Sequence, residues 1–297
     1  MAPRTLDQVA VWLLRASWAS LPFLAGPTLA DALHDTDGSF RTSVSIGLWA
    51  IWGVTLLATL IPHGVTLTVH RIVAPASLTA VVWAVFETEV SAGAVIALSA
   101  TVVASMASLA PNTAAVFVDG SSYGDELRLP LRAPAPLLLG PIPLTWAVTV
   151  SGAAVGPLLL ADRHWIVGTA AALIGLAAAA LGTRALYALA RRWVVFVPAG
   201  IVLHDLMTLA DPQLFRRRDI DRLAPALGDS PARDFSARAA GLLLELQLRA
   251  ETKVAVRSGG PRRRSRAEPE QLTAFLFAPT QPGRVLVAAT ERDVRTT

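Results

Sequence analysis

The feature that most constrains this 297-residue chain is a series of six apolar segments within its first 190 residues. A helix needs about 20 apolar residues to cross the ~30 Å hydrocarbon core of a bilayer. Only a short turn at Glu87–Glu89 separates the third and fourth segments, and a single helix of about 40 residues would be too long for one span. The chain is therefore predicted to be an α-helical polytopic membrane bundle of about six transmembrane helices, with spans at residues 9–30, 43–61, 69–86, 91–109, 137–161 and 165–189.

Charged residues divide the chain into two regions of opposite character. Residues 1–190 carry 8 Arg and 10 acidic residues, a net charge of −2, whereas residues 191–297 carry 18 basic and 12 acidic residues, a net charge of +6. The charged fraction of the second region is typical of a soluble domain. We therefore predict a transmembrane domain over 1–190 followed by a water-facing domain over 191–297. The absence of cysteine excludes a disulfide scaffold and a cysteine-ligated metal centre.

Arginines in the short loops predict the orientation. The loops on one side of the predicted bundle carry eight Arg, and those on the other side carry only Arg41 and Arg163. Because cytoplasmic loops are enriched in basic residues, we expect a multi-pass protein of the cell (plasma) membrane with both termini in the cytoplasm. The opposite loop, residues 31–42, is acidic, and we interpret it as a solvated outer loop rather than a cation site.

Residues 110–136, between the fourth and fifth spans, are predicted to form a cytoplasmic hairpin loop. Ala114–Val118 is strand-like, Glu126–Arg132 alternates leucine with polar residues or proline, and the segment between them is rich in turn residues. The sequence leaves open whether this hairpin joins the sheet of the C-terminal domain.

The C-terminal region is predicted to be a β-rich α+β domain. Residues 258–268 are rich in Gly, Pro and Arg, which predicts a mobile basic loop, and Pro282 marks the start of a terminal helix. Short strands closed by one helix follow the element order of a pleckstrin-homology-like (PH-like) barrel. The clearest strand patterns are those of Trp193–Val197, Ile201–His204, Lys253–Arg257 and Thr273–Phe277.

Two stretches carry a resemblance to a known group of proteins. They are FVDGSSYGDELRLPLRAPAPLLLGPIPL (117–144) and RRWVVFVPAGIVLHDLMTLADP (191–212). Both resemble segments of uncharacterised multi-pass membrane proteins of high-GC actinobacteria, and the resemblance extends over the whole chain. It implies an integral membrane protein with a cytoplasmic C-terminal domain, and it carries over no catalytic residues. The tail is also similar in element order to bacterial PH-like domains.

Small residues recur in the last two predicted spans. Gly152 and Gly156 form a GxxxG pair in the fifth, and Gly168, Gly175 and Gly182 recur every seven residues in the sixth. Small faces let helix backbones approach closely in a bilayer. We predict helix packing at these glycines, and an oligomer interface is the alternative.

Two groups of polar residues are candidate sites. Intramembrane ionisable residues are costly and often functional, so Arg15, His63, His70 and Arg71 are a candidate polar site, with interfacial placement as the alternative interpretation. Basic residues beside a membrane attract anionic lipids. The candidate lipid-binding residues are Arg216, Arg217, Arg218, Arg262, Arg263, Arg264 and Arg266.

Motifs of known chemistry are missing from the sequence. It contains no P-loop, HExxH, GxSxG or GxGxxG pattern, and most of the predicted spans are nearly free of ionisable residues. The favoured function is a non-enzymatic scaffold or regulatory membrane protein whose cytoplasmic domain binds lipid headgroups or a protein partner. A transporter or channel for a neutral or small solute is the alternative, and a membrane-embedded enzyme is the third possibility. No cofactor, metal or nucleic-acid partner is predicted.

Overall fold

The computed structural model describes residues 3–258 and 266–296. The chain forms two compact units. A helical unit comprises residues 1–120 and 143–187, and a sheet domain comprises residues 121–142 and 188–297. The sheet domain therefore begins before the fifth predicted span, so the predicted division at residue 190 misses the contribution of residues 121–142.

Ten α-helices are present in the described part of the chain. Six helical segments among these residues are long and apolar enough to cross a membrane: Thr5–Ala32, Gly38–Ala58, Gly64–Glu87, Ala92–Leu109, Ala135–Ala161 and Trp165–Ala190. This confirms six candidate membrane-spanning helices. Their bounds are α1 (Pro3–Leu24), α2 (Gly26–Ala32), α3 (Gly38–Ala58), α4 (Gly64–Glu87), α5 (Ala92–Leu109), α6 (Pro111–Asp119), α7 (Ala135–Leu138), α8 (Pro141–Ala161), α9 (Trp165–Ala190) and α10 (Pro282–Thr290).

Local sequence signals set several of the helix ends. Asp37 precedes α3 and its side chain accepts hydrogen bonds from the backbone N–H groups of Ser39 and Phe40, at 2.9 Å and 3.4 Å. These bonds favour the ionised carboxylate and hold the pKa of Asp37 below its ordinary value. Ser91 caps α5 in the same way, through Ala94. The first predicted span is interrupted at Ala25, between α1 and α2.

The helical unit has small buried clusters and a largely apolar exterior. Trp18 and Leu21 of α1 pack with Ala74 of α4 and Ala104 of α5. Long apolar side chains point outward on other faces, and Ile166 is 88% exposed. Such extensive apolar exposure is unusual for a soluble protein and is expected of helices that face lipid.

One part of the predicted hairpin is wrong. Residues 114–118 lie in α6 rather than in a strand. A short apolar run does not distinguish a buried helix from a strand by periodicity. Here Pro111 occupies the first turn of α6, where a missing N–H costs nothing, and Phe117 and Val118 are buried in the helical unit.

Eight strands form two four-stranded sheets in the described part of the sheet domain. The first sheet has the order β1-β2-β3-β4 and is antiparallel throughout. The second has the order β5-β7-β8-β6, with a parallel pairing only between β6 and β8. The strands are β1 (Leu127–Pro130), β2 (Trp193–Val197), β3 (Gly200–His204), β4 (Gln213–Arg216), β5 (Ile220–Pro225), β6 (Arg233–Asp234), β7 (Leu244–Ser258) and β8 (Arg266–Phe277).

The hairpin segment between the fourth and fifth spans joins the sheet of the C-terminal domain through β1. Leu127 pairs with Phe196, and Pro130 pairs with Trp193, so the segment between the fourth and fifth spans supplies an edge strand to the C-terminal sheet. Strand pairing between residues more than 60 positions apart leaves no local signature.

The flanks of the predicted mobile loop over 258–268 are strand residues. Ser258 ends β7 and pairs with Arg266, the first residue of β8, and the pairing continues through residues 267 and 268. We call residues 262–266, with their four arginines, the basic tract. Residues 259–265, which contain most of this tract, lie outside the described residues.

The core of the sheet domain lies between the two sheets and is closed by α10. Phe196 and Phe215 of the first sheet share one buried cluster with Phe275 and Phe277 of the second. Val285, on α10, belongs to the same cluster and is fully buried. The prediction that the C-terminal region contains several strands followed by one terminal helix is confirmed.

Candidate functional site

The predicted lipid-binding arginines fall into two groups at different places. Arg216 ends β4 and pairs with Gly200. The Arg217 backbone N–H donates to the Ala199 carbonyl oxygen at 2.9 Å, and its guanidinium donates to the Pro198 carbonyl oxygen at 3.2 Å. Arg218 lies 3.6 Å from Asp219. These three arginines therefore lie at the β2–β3 turn.

The second group belongs to the end of the β7–β8 hairpin. The backbone of Arg266 begins β8, and Arg262, Arg263 and Arg264 lie outside the described residues. Next to this end, the Arg257 backbone N–H donates to the Thr208 carbonyl oxygen at 2.9 Å. Its guanidinium donates to the Leu206 carbonyl oxygen at 2.7 Å. The strand ends that enclose the basic tract are thus fixed to the segment after β3.

A pocket of about 280 Å³ lies at the same place. It is lined by Ala188, Arg191, Leu206, Met207 and Arg257. Ala188 is in the last turn of α9, and Arg191 follows that helix directly. The pocket therefore combines two arginine residues with three apolar residues, all of them within the sheet domain.

The β2–β3 hairpin separates the two groups of arginines. Trp193 and His204 pair at the end near α9, whereas Val197 pairs with Gly200 at the turn. Four residue steps at ~3.3 Å place these ends roughly 13 Å apart. Arg216, Arg217 and Arg218 therefore lie at the other end of this hairpin from the strand ends Ser258 and Arg266. The structure also adds Arg191 and Arg257, which sequence reasoning did not select as site residues. The position of Arg191, directly after an apolar segment, was the available signal.

An aromatic stack is formed by residues close in sequence to two pocket residues, Arg191 and Leu206. The rings of Trp193 and His204 are stacked, with centroids 4.6 Å apart, and the Arg128 guanidinium lies 6.0 Å from the Trp193 ring. Nδ1 of His204 is 2.8 Å from the Arg191 carbonyl oxygen. Burial lowers the pKa of His204 from its ordinary value of 6.5.

Acid is expected to destabilise the sheet domain through His204, the single histidine of residues 121–142 and 188–297. Because its pKa is lower in the folded state, the unfolded chain binds the additional proton. The contribution of His204 to stability is complete above pH 6.5 and is lost as the pH falls through the lowered pKa. Amide hydrogen exchange of β2 and β3 between pH 7.5 and 5.5 measures this loss.

His204→Phe is the matched control for this prediction, because it retains an aromatic ring against Trp193 and removes the titrating group. After correction for intrinsic exchange rates, we expect the variant to lose less protection in acid than the natural chain. Equal losses in the two proteins would show that other groups control the acid response.

A buried ion pair holds the segment after β3 in place. The Arg192 guanidinium donates to both carboxylate oxygens of Asp205, at 2.9 Å and 2.8 Å, and both side chains are almost completely buried. Arg192 also donates to the Arg132 carbonyl oxygen at 2.8 Å. Asp205 accepts from the backbone N–H of Met207. The pair thereby joins β2, the β1 segment and one wall of the pocket.

A second cavity, of about 740 Å³, lies on the second sheet. Arg233 lies 3.3 Å from Glu270 in its lining, and Glu245, which also lines it, accepts a hydrogen bond from Ser230 at 2.7 Å. Three acidic residues, Asp234, Glu245 and Glu270, line this groove against a single basic residue, Arg233, so its charge is of the opposite sign to that of the pocket beside Arg191.

Two of the candidate intramembrane residues, His63 and Arg15, make hydrogen bonds at helix ends. His63 precedes α4, where its imidazole accepts from the Val65 backbone N–H at 3.1 Å and completes a capping box with Thr66. Arg15 donates to the Thr59 carbonyl oxygen, at the C-terminal end of α3, at 3.2 Å. A cation is favoured at that end of a helix. Both residues thus have a structural role at helix ends.

His70 is the exception in the helical unit. It is fully buried, and its ring lies edge-on to those of Trp18 and Phe117, with centroids 6.4 Å and 5.7 Å away. Neither of its ring nitrogens, nor Nε of Arg71, makes a hydrogen bond of good geometry to any described residue. The Ala58 carbonyl oxygen faces the His70 ring, but not with the distance and angle of a good hydrogen bond.

The five predicted packing glycines all lie at contacts within the helical unit. A Cβ on Gly152 would meet the backbone of Gly175, and one on Gly175 would meet that of Gly152. Gly156 faces the backbone of Ala172. Gly168 faces Leu160, and Gly182 faces Thr149. The glycines therefore bring α8 and α9 into backbone contact within one chain.

Six apolar helices and a separate two-sheet domain indicate a multi-pass membrane protein as the class. Among the described residues, no group of three or more His, Cys, Asp or Glu side chains is arranged to hold a metal ion. Comparison with protein-family models, curated proteins and solved structures gave no match to this chain.

Proposed function

We propose that this chain is an integral protein of the cell membrane and acts as a non-enzymatic scaffold or regulator. In this proposal the sheet domain lies in the cytoplasm, together with both termini, and binds anionic lipid headgroups of the inner leaflet. Eight arginines on the side of the bundle assigned to the cytoplasm, against two on the other, support this orientation. Two sheets closed by a terminal helix support a PH-like module.

One observation carries the lipid assignment. The ends of β7 and β8, which enclose the basic tract, lie beside Arg191 at the end of α9. Since α9 is an apolar helix of 26 residues, its end marks the level at which the chain leaves the bilayer. In this proposal the strand ends on either side of the basic tract lie near lipid headgroups, where each Arg adds roughly 1 kcal/mol of attraction to an anionic surface.

Lipid selectivity is preferred to protein binding because of the charge distribution. The pocket lining adds Arg191 and Arg257 to the basic tract, whereas the groove on the second sheet is lined by three acidic residues and one Arg. A negatively charged membrane surface complements the positive charge of the basic tract, Arg191 and Arg257.

The full chain, reconstituted in nanodiscs, is expected to select anionic lipid through the basic tract. Spin-labelled phosphatidylglycerol and phosphatidylcholine report the selectivity as the ratio of their protein-immobilised fractions. We expect replacement of Arg262, Arg263, Arg264 and Arg266 by Gln to lower this ratio by at least about fivefold, the factor that roughly 1 kcal/mol from a single one of the four residues would give. The full chain is required, since residues 191–297 alone lack β1.

The matched control replaces Arg216, Arg217 and Arg218 by Gln. This variant removes three charges from the β2–β3 turn and should retain most of the selectivity. Equal immobilisation of the two lipids by the natural chain would refute lipid selectivity. Loss of selectivity only in the control variant would show that the β2–β3 turn is the lipid-facing end.

A further inference from the structure

We propose that the sheet-domain pocket lined by Ala188, Arg191, Leu206, Met207 and Arg257 binds the phosphate of one anionic phospholipid. Arg191 and Arg257 would contact the phosphate, and Leu206 and Met207 would contact the adjoining glycerol region. This inference rests on the proposed function and assigns one defined site within it, distinct from the diffuse attraction of the basic tract.

The chemistry of the lining fits an amphipathic anion. Guanidinium groups present planar, permanently charged donors that match phosphate oxygens. The remaining lining residues, Ala188, Leu206 and Met207, are apolar, and Met207 is 40% exposed. A soluble anion such as inorganic phosphate would use the arginines and leave the apolar wall without a partner.

The pocket wall is held in place before any ligand arrives. The backbone N–H groups of Thr208 and Leu209 donate to the Asp205 carbonyl oxygen, at 3.2 Å and 2.8 Å. Asp205 is itself fixed by Arg192. The Arg257 guanidinium is anchored through one nitrogen on the Leu206 carbonyl oxygen. Such preorganisation lowers the entropic cost of binding.

The location and the volume favour a headgroup over a whole lipid. Ala188 places the pocket at the last turn of α9, where the phosphate layer of a bilayer would lie. A volume of about 280 Å³ accommodates a phosphate and part of the glycerol but not the two acyl chains, which would remain in the bilayer.

Native mass spectrometry of the full chain, released from vesicles of phosphatidylglycerol and phosphatidylcholine, counts the lipids that stay bound. We expect one phosphatidylglycerol to be retained by the natural chain. Arg191→Gln combined with Arg257→Gln should reduce its occupancy about fivefold or more. Met207→Trp should do the same by filling the pocket without changing the charge. The Arg216→Gln and Arg218→Gln double variant should keep the lipid.

The possible outcomes distinguish this inference from the proposed function. If the pocket variants keep the bound lipid while the variant of the basic tract loses selectivity, the pocket assignment is wrong and the proposed function stands. If the natural chain shows no preference for phosphatidylglycerol in either assay, both fail. Displacement of the bound lipid by millimolar inorganic phosphate would assign the pocket to a soluble phosphate. Retention of phosphatidylcholine at equal occupancy would overturn the anionic specificity.

Discussion

Replacing Asp205 by Asn is expected to destabilise the sheet domain by about 3–5 kcal/mol, because it leaves the buried Arg192 guanidinium without a counter-charge. Arg192 is 2% exposed and Asp205 is fully buried, so water cannot replace the lost partner. Amide hydrogen exchange of β2 and β3, in the full chain in detergent, reports this loss as reduced protection. The effect should reach β1 as well, since Leu131 N–H donates to the Arg192 carbonyl oxygen.

Two comparisons separate the role of the pair from a general effect of mutation. Glu270→Gln breaks the exposed pair with Arg233 and should cost at most about 1 kcal/mol. The double variant Arg192→Met and Asp205→Asn removes the lone buried charge, so we expect it to be less destabilised than Asp205→Asn alone. Equal losses for Asp205→Asn and Glu270→Gln would contradict the importance of the buried pair.

Gly175→Ala is expected to lower the stability of the helical unit by about 1–3 kcal/mol, the usual cost of overpacking, and Gly175→Leu by more. A Cβ at this position would overlap the backbone of Gly152 on the neighbouring helix, so α8 and α9 must separate. Thermal unfolding in detergent, followed by circular dichroism, measures the change. An unchanged unfolding midpoint for Gly175→Leu would count against the close packing of α8 and α9.

Gly53→Ala provides a control of the same chemistry. A Cβ on Gly53, in α3, would have nothing within 4 Å, and alanine is favoured over glycine in a helix interior by roughly 0.5–1 kcal/mol. This variant should therefore keep or raise the unfolding midpoint. Opposite effects of the two Gly→Ala changes would identify contact between helices, rather than helix propensity, as the cause.

The candidate sites show how far residue type predicts a role. Arg15 and His63 belong to types that are costly inside a membrane, yet both satisfy backbone groups at helix ends. His70 has the same chemistry but lies in the interior among aromatic rings. Sequence position did not distinguish these cases, because the role of each residue depends on which helices surround it.

The arginines of the sheet domain make the same point. Arg217 belongs to the β2–β3 turn through its bonds to Pro198 and Ala199, whereas Arg257 belongs to the α9 end. Both were simply basic residues in a basic region. Strand register decides which end of a hairpin a side chain occupies, and register depends on cross-strand partners far away in the sequence.

The sequence by itself determined the six apolar spans and the division between an apolar bundle and a charged domain. Each span depends on the composition of about 20 consecutive residues, so its signal is local. Only the tertiary structure decided that residues 114–118 are helical, that β1 joins the C-terminal sheet, and that Arg191 and Arg257 line one pocket. These features depend on the free energy of contacts between segments far apart in the chain, and this free energy cannot be inferred from any short stretch of sequence.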